Sequence, residues 1–189
     1  MTAGDAPRDT GPGVDAALVA RARAGDSAAF AVLAGGCRTR VWAICLRLTG
    51  NHADAEDALQ DALMAAWQHI GSFRQEARFS TWLYRIAANA ALGIVRRRRD
   101  TPLDPEAHDY LVVVEDHADG HAERDRVQAA LARVPEPFRT ALVLREYGDL
   151  SYEEIAAHQG VGVQTVKSRL FRARAAMAAQ LHPDVADRG

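Results

Sequence analysis

Apolar residues recur at intervals of three and four along almost the whole chain, and no alternating strand pattern holds for long. One stretch interrupts this periodicity. From Asp100 to Asp119 the chain has seven acidic residues, no Lys or Arg, and two prolines, Pro102 and Pro105. Proline and dense like charge are typical of a linker. The sequence therefore predicts an all-α protein with two small helical domains joined by a flexible acidic linker.

Turn and capping signals set the expected boundaries within this plan. In chain order we expect a disordered tail, a first domain, the linker, a second domain and another tail, at 1–14, 15–100, 101–122, 123–182 and 183–189. Four helices are expected in the first domain: one over about 15–24, one from a cap at Ser27 to a stop at Gly50, and two over about 53–70 and 81–99. Ser27 and Ser80 are the expected caps of the second and fourth of these, and the Gly35-Gly36 pair is a candidate interruption. Four further helices are expected in the second domain, over about 123–133, 137–147, 151–159 and 164–181.

Charge is unevenly distributed along the chain, although its net value is only −2. Residues 54–61 are acidic, whereas residues 74–99 and 167–174 are basic. This alternation indicates several partners, at least one of them a polyanion, although solvated helix faces are the simpler alternative. No apolar run approaches the ~20 residues needed to span a membrane, and the N-terminus lacks a signal-peptide pattern, so a cytoplasmic protein is expected.

Few residues are candidates for catalysis or metal binding. Cys37 and Cys45 lie in one apolar helical segment, which favours buried, reduced thiols over a disulfide or a metal site. His117 and His121 have no further ligands nearby, so no metal site is expected. The sequence also has no nucleophile–base set and no glycine-rich phosphate loop. We therefore expect no enzyme activity, no cofactor and no small-molecule substrate.

Residues 148–181 have the layout of a helix-turn-helix. Ser151-Tyr-Glu-Glu154 is a capping box that begins a short helix, and the GVGV turn at 160–163 leads into a long one. In a helix-turn-helix the second helix enters the major groove of DNA. A plain helical hairpin in a bundle has the same spacing, so the layout alone leaves both interpretations open.

The two faces of the long helix favour DNA binding. An apolar stripe along it predicts a core face, made by Val166, Leu170, Ala173, Met177 and Leu181. The opposite face has Gln164, Ser168 and Phe171, flanked by Lys167 and Arg172. An exposed Phe beside Ser and basic residues does not help a structural helix. Such residues can contact base edges, thymine methyl groups and phosphates.

Two long segments carry a family resemblance. LSYEEIAAHQGVGVQTVKSRLFRARAAM resembles region 4 of bacterial extracytoplasmic-function sigma factors, and VQAALARVPEPFRTALVLREYGDLS is similar to the opening helices of that domain. DAEDALQDALMAAWQHIGSFRQEARFSTWLYRIAANAALGIVRRRR resembles region 2 of the same family. The resemblance covers about 15–182. Gln164 departs from it, because the family usually has Gly before Thr-Val-Lys.

The resemblance implies roles for residues in both domains. Region 4 of the family recognises the upstream (−35) promoter element, which implies contacts from Thr165, Lys167, Ser168, Phe171 and Arg172. Region 2 binds the clamp helices of the polymerase β′ subunit, which implies contacts from Glu56, Asp57, Gln60 and Asp61. A solvated acidic helix face is the alternative for these four residues.

Region 2 of the family also melts the −10 element and holds an extruded base. A flipped base needs a pocket with planar or apolar partners. The candidates are Phe73, Arg74, Phe79, Trp82, Arg85 and Asn89. Phe79 and Trp82 are as readily explained as core residues. Arg96, Arg97, Arg98 and Arg99 are expected to bind the DNA backbone, with a solvated basic helix end as the alternative.

The resemblance implies an alternative sigma factor that directs core RNA polymerase to −10 and −35 promoter elements and promotes melting. The implied partners are core polymerase (β′ clamp helices and β flap), promoter DNA and an anti-sigma factor. The implied location is the cytoplasm, at the nucleoid or held at the membrane by that anti-sigma factor. Two other interpretations compete with this one. A stand-alone DNA-binding regulator would use only the second domain, and a protein–protein adaptor would not contact DNA at Lys167 or Arg172.

Overall fold

A computed structural model of the chain describes residues 12–100 and 118–181. These residues form eight α-helices and one 3-10 turn, with no strand among them, which confirms the all-α class. In chain order the elements are α1 Pro12–Arg23, α2 Ser27–Thr49, α3 His52–His69, the turn Ile70–Ser72, α4 Phe79–Asp100, α5 Ala118–Arg133, α6 Glu136–Glu146, α7 Tyr152–Gln159 and α8 Val163–Leu181.

The expected tails and most of the linker lie outside the described residues. Two helices begin earlier than the sequence predicts. Helix α1 begins at Pro12, inside the expected tail, and α5 begins at Ala118, inside the expected linker. His117 is not described, and the described residues contain no group of three or more His, Cys, Asp or Glu that could hold a metal ion.

Helix α2 is capped by Asp26 and not by Ser27. The Asp26 carboxylate accepts hydrogen bonds from the backbone N–H groups of Ala28 and Ala29, at 3.0 Å each. The pKa of Asp26 is lowered by these contacts. The bond from the Ala29 N–H has the largest effect, followed by the side-chain bond from Arg21. A carboxylate accepts such bonds more strongly than a hydroxyl, which explains why Asp26 takes this position.

Helix α2 also runs unbroken through Gly35-Gly36. Neither glycine has a positive φ, and packing on both sides of the pair holds the helix together. By length and mean hydropathy α2 would suffice to cross a membrane, which corrects the expectation that no segment could. Its apolar residues have a different explanation, because Val41, Ile44 and Cys45 are completely buried in the core.

Helix α4 begins at Phe79, so the expected cap at Ser80 is wrong. Ser80 lies in the first turn, and the Trp82 N–H donates to the Arg78 carbonyl at 3.1 Å. The reason is an aromatic cluster at the start of this helix. Phe79 packs edge-on against Phe30 and Phe73, and this packing includes Phe79 in the helix, which begins two residues earlier than the serine signal indicates.

The first domain is built on α2, α3 and α4, which pack against one another. Cys37 and Cys45 are both buried, as expected. Burial raises the pKa of Cys45 to about 12, so this thiol stays protonated at neutral pH.

The second domain packs α8 against α5, α6 and α7. The predicted capping box is confirmed: Ser151 Oγ accepts from the Glu154 N–H at 3.1 Å, and Glu154 Oε2 accepts from the Ser151 N–H at 2.7 Å. Gly160 ends α7 with a φ of +64°, a conformation that favours glycine. The turn then leads into α8, whose Val166, Leu170 and Ala173 are buried as predicted.

Candidate nucleic-acid interface

One face of α8 is fully open to solvent. Thr165, Lys167, Ser168, Phe171 and Arg172 are all exposed, and we call this set the recognition face. Phe171 is 74% exposed, more than any other large apolar residue in the described part of the chain. The Thr165 N–H is occupied by the Gly162 carbonyl at 3.0 Å. Its hydroxyl is therefore the better donor to a phosphate.

Helix α8 is held in place by bonds from its other basic residues. Arg169 donates to Gln159 Oε1 at 2.7 Å, and Gln159 Nε2 donates to the Pro137 carbonyl at 2.8 Å. Arg174 donates to Glu146 at 2.8 Å, and this bond raises the pKa of Arg174. These contacts fix α8 against α6 and α7.

Two polar residues of the recognition helix have contacts within the domain. The Arg172 guanidinium lies over the Phe138 ring, 6.0 Å from its centroid. Ser168 Oγ donates to the Gln164 carbonyl at 3.1 Å, so the Gln164 backbone takes part in the face while its side chain is exposed. The Phe138 ring thus helps to orient the Arg172 guanidinium, whose N–H groups stay accessible to solvent.

The basic end of α4 differs from this face, because its charges are paired. We call Arg96–Arg99 the arginine cluster. Arg97 lies 3.6 Å from Asp61, and Arg98 lies 3.2 Å from Asp54. Arg96 and Arg99 reach the other domain and contact Glu136 at 2.9 and 3.5 Å. The predicted cations are therefore brought together, each beside a carboxylate.

The predicted base-pocket residues lie partly in the loop before α4 and partly on that helix, and they differ in exposure. The loop contains Phe73 and Arg74, and α4 contains Phe79, Trp82, Arg85 and Asn89. Phe73 and Phe79 are buried, 5% and 6% exposed, and both pack on the half-buried Trp82. Arg74 and Asn89 are exposed, and Arg85 is half-buried. The two phenylalanines thus lie in the core of the free chain, which is the alternative that the sequence leaves open for Phe79.

Comparison with known proteins identifies both domains. The model of Sigma-70 region 2 matches residues 33–101, and that of Sigma-70 region 4 matches residues 124–177. The chain is 37% identical to the RNA polymerase sigma-H factor of Pseudomonas aeruginosa, covering 89% of this chain and 94% of that protein. It is 34% identical to the ECF RNA polymerase sigma factor SigW of Bacillus subtilis, covering 86% and 94%. The chain belongs to the extracytoplasmic-function sigma factors.

Solved structures agree with this membership. The sigma factor fold here is similar to CnrH in complex with the cytosolic domain of CnrY, with a TM-score of 0.71, 26% identity, and coverage of 90% of this chain and 99% of that one. It is also similar to the sigma factor RpoE in complex with the anti-sigma factor NepR from Bartonella quintana, with a TM-score of 0.66, 29% identity, and coverage of 77% and 91%. As a sigma factor, the chain binds core RNA polymerase and directs it to promoters.

Region 2 of this sigma factor presents the predicted acidic face on α3. Glu56, Asp57, Gln60 and Asp61 are all exposed there. Beside them lies a groove between α2 and α3 that sequence reasoning missed, lined by Arg38, Trp42, Glu56, Leu59, Gln60, Leu63 and Met64. Met64 is 49% exposed. Met64 lies four residues after Gln60, so the two side chains share one face of the helix. This spacing could have predicted an apolar side chain next to the acidic face.

Proposed function

We propose that the recognition face of α8 reads the −35 promoter element. The observation that carries this proposal is Phe171, an exposed aromatic residue on a helix whose opposite face is buried and bonded in place. Arg172 and Lys167 supply N–H donors for guanine edges or phosphates, and Ser168 can donate or accept. Phe171 can pack against a thymine methyl group, and the Thr165 hydroxyl can contact a phosphate at the start of the helix.

Region 2 is proposed to contact the −10 element through the open side chains near α4. Arg74, Arg85 and Asn89 supply hydrogen bonds to a base or the backbone, and Trp82 is the aromatic surface left partly open. Phe73 and Phe79 pack against each other in the core and stabilise the loop before α4. The arginine cluster is proposed to bind phosphates, which adds affinity without sequence choice.

The exposed acidic face of α3 is proposed to bind the β′ clamp helices of core polymerase. Glu56, Asp57 and Asp61 can pair with basic residues of a coiled coil, and Gln60 can hydrogen-bond to it. The neighbouring groove adds an apolar centre at Trp42 and Met64, which charged pairs alone would lack. Region 4 is proposed to contact the β flap.

The chain is proposed to act without enzyme activity of its own and to work in the cytoplasm at the nucleoid. Regulation by an anti-sigma factor is also proposed. The similar sigma factor RpoE from Bartonella quintana is in complex with the anti-sigma factor NepR, and CnrH is in complex with the cytosolic domain of CnrY. If such a partner held the chain at the membrane, the membrane anchor would belong to the partner.

Run-off transcription tests the proposal. Purified core polymerase is assayed with and without the chain on promoter fragments that the holoenzyme retains. Start-site-specific transcripts that require the chain are expected, and Phe171→Ala should abolish them on promoters that depend on a −35 element. Specific DNA binding without polymerase and without transcripts would instead support a stand-alone regulator. Core binding without DNA contact would support an adaptor.

A further inference from the structure

The two domains touch through a carboxylate of region 4 and two arginines of region 2. Glu136 lies in the first turn of α6, and its side chain is only 18% exposed. Its Oε1 accepts from Arg96 Nη2 at 2.9 Å, and its Oε2 lies 3.5 Å from Arg99 Nη2. Each carboxylate oxygen therefore faces a different guanidinium of the arginine cluster.

A second polar contact joins the domains at the end of α2. Arg47 Nη1 donates to Gln128 Oε1 at 3.1 Å, and Gln128 Nε2 donates back to the Arg47 carbonyl at 3.4 Å. The Arg47 guanidinium also lies over the Tyr147 ring, 5.5 Å from its centroid. Arg47 and Gln128 thus form two reciprocal hydrogen bonds between the domains.

Close apolar packing lies behind these contacts. A Cβ added at Gly148 would lie 2.8 Å from the Leu144 carbonyl oxygen and 3.5 Å from Ile44 Cδ1. Ile44 belongs to α2 and is completely buried. The approach of region 4 to region 2 is therefore a packed interface, with the Glu136 and Gln128 contacts beside it.

We infer that Glu136 takes the place of a DNA phosphate on Arg96 and Arg99, so that region 4 covers part of the DNA-binding surface of region 2 until DNA displaces it. A carboxylate and a phosphate both present paired oxygens to guanidinium groups. This inference rests on the proposed role of the arginine cluster in phosphate binding. The competitor is part of the same chain, so its effective concentration is high even though each contact is weak.

The contact is suited to opening. Arg96 and Arg99 keep more than half of their side-chain surface exposed, and ion pairs in such positions contribute little stability. A DNA backbone offers several phosphates to the whole arginine cluster, whereas Glu136 offers one carboxylate to two of its members. The balance therefore favours closure in the free chain and opening on DNA.

The experiment measures closure and DNA affinity in the full chain. Fluorescence resonance energy transfer between dyes at Gln68→Cys and Ala179→Cys reports the distance between the domains, since both positions are exposed and the native cysteines are buried. Fluorescence anisotropy with a duplex lacking promoter elements reports affinity for the DNA backbone. Circular dichroism confirms that each variant is folded.

Three variants separate closure from charge. Glu136→Gln should lower the energy transfer and tighten duplex binding about three- to fivefold, because the closed fraction no longer competes. Glu123→Gln removes the same charge from an exposed position of region 4 and should change duplex binding less than about twofold, with energy transfer unchanged. Gln128→Ala changes no charge and should shift both readouts in the direction of Glu136→Gln.

The outcomes distinguish this inference from the proposed function on which it rests. If Glu136→Gln and Glu123→Gln behave alike in both readouts, Glu136 does not hold the domains together and the inference is wrong. Adding Arg96→Ala and Arg99→Ala to Glu136→Gln should cancel the gain in affinity. If that addition leaves duplex binding unchanged while the energy transfer still responds to Glu136→Gln, the proposed phosphate role of these arginines fails instead.

Discussion

The recognition face of α8 and the arginine cluster at the end of α4 are both cationic, but they are built differently. On α8 the arginines that hold the helix, Arg169 and Arg174, are bonded within region 4, and Phe171 is left open. At the end of α4 the guanidinium groups lie beside carboxylates. Base recognition needs side chains in fixed positions with their polar groups uncommitted. Backbone binding needs only charge, which can exchange one anion for another.

The sharpest test of this comparison uses two neighbouring residues on α8. Leu170 is 1% exposed and Phe171 is 74% exposed. Leu170→Ala should lower the free energy of unfolding by about 2–5 kcal/mol, because it leaves a cavity in the core of region 4. Phe171→Ala should leave stability within about 0.5 kcal/mol of the wild type. Urea unfolding followed by circular dichroism measures both. Similar losses of stability in the two variants would contradict the division of α8 into a core face and a recognition face.

The next effect in size is the loss of Arg172. Arg172→Ala should weaken binding to the −35 element by about 1–3 kcal/mol, and the loss should depend on the base sequence. Holoenzyme binding to promoters with single substitutions in the −35 element measures it. Arg124→Ala removes an exposed arginine of the same domain that lies outside the recognition face, and it serves as the control. Equal losses on all −35 variants would place Arg172 among backbone contacts.

A smaller and more uniform effect is expected from the arginine cluster. Arg98→Ala should weaken binding on the order of 0.5–1 kcal/mol on all promoters and lower the slope of log affinity against log salt by about 1. Arg98 also pairs with Asp54, so Asp54→Asn is the matched variant and should not weaken DNA binding. If the loss of DNA affinity in Arg98→Ala varies with the −10 sequence, the arginine cluster also recognises bases, and the proposed distinction from the recognition face is wrong.

The sequence predicts local features well because their causes are local. The capping box at Ser151 and Glu154 and the core stripe through Val166 and Leu170 depend on residues within one or two turns, and the structure confirms them. The cap of α2 was assigned to the wrong neighbour, Ser27, because two adjacent residues carried the same signal.

Features that depend on distant residues could not be predicted in the same way. Phe79 is buried against Phe30, more than forty positions earlier in the chain. The contact of Glu136 with Arg96 joins two domains, and its sequence signal is no different from that of any other pair of opposite charges. Family resemblance implies roles for the two cationic surfaces, but it does not indicate the contact between the domains.

The smallest expected effect concerns a partly buried histidine of region 4. Burial, and secondarily the charge of Arg85, lowers the pKa of His158 below its usual value near 6.5. His158 belongs to α7 of region 4, and Arg85 belongs to α4 of region 2. Between the lowered pKa and about 6.5, the unfolded chain binds more protons at this residue than the folded chain, so stability should rise with pH and level off above about 6.5.

Replacing His158 by Gln should reduce this pH dependence while keeping a polar side chain of similar size. Urea midpoints for the wild type and His158→Gln are compared at pH 5.5 and 7.5, with His69→Gln as the control because His69 is exposed on α3. The wild type should lose more stability at pH 5.5 than His158→Gln does, whereas His69→Gln should follow the wild type. An acid response that is unchanged in His158→Gln would assign the pH dependence to other groups.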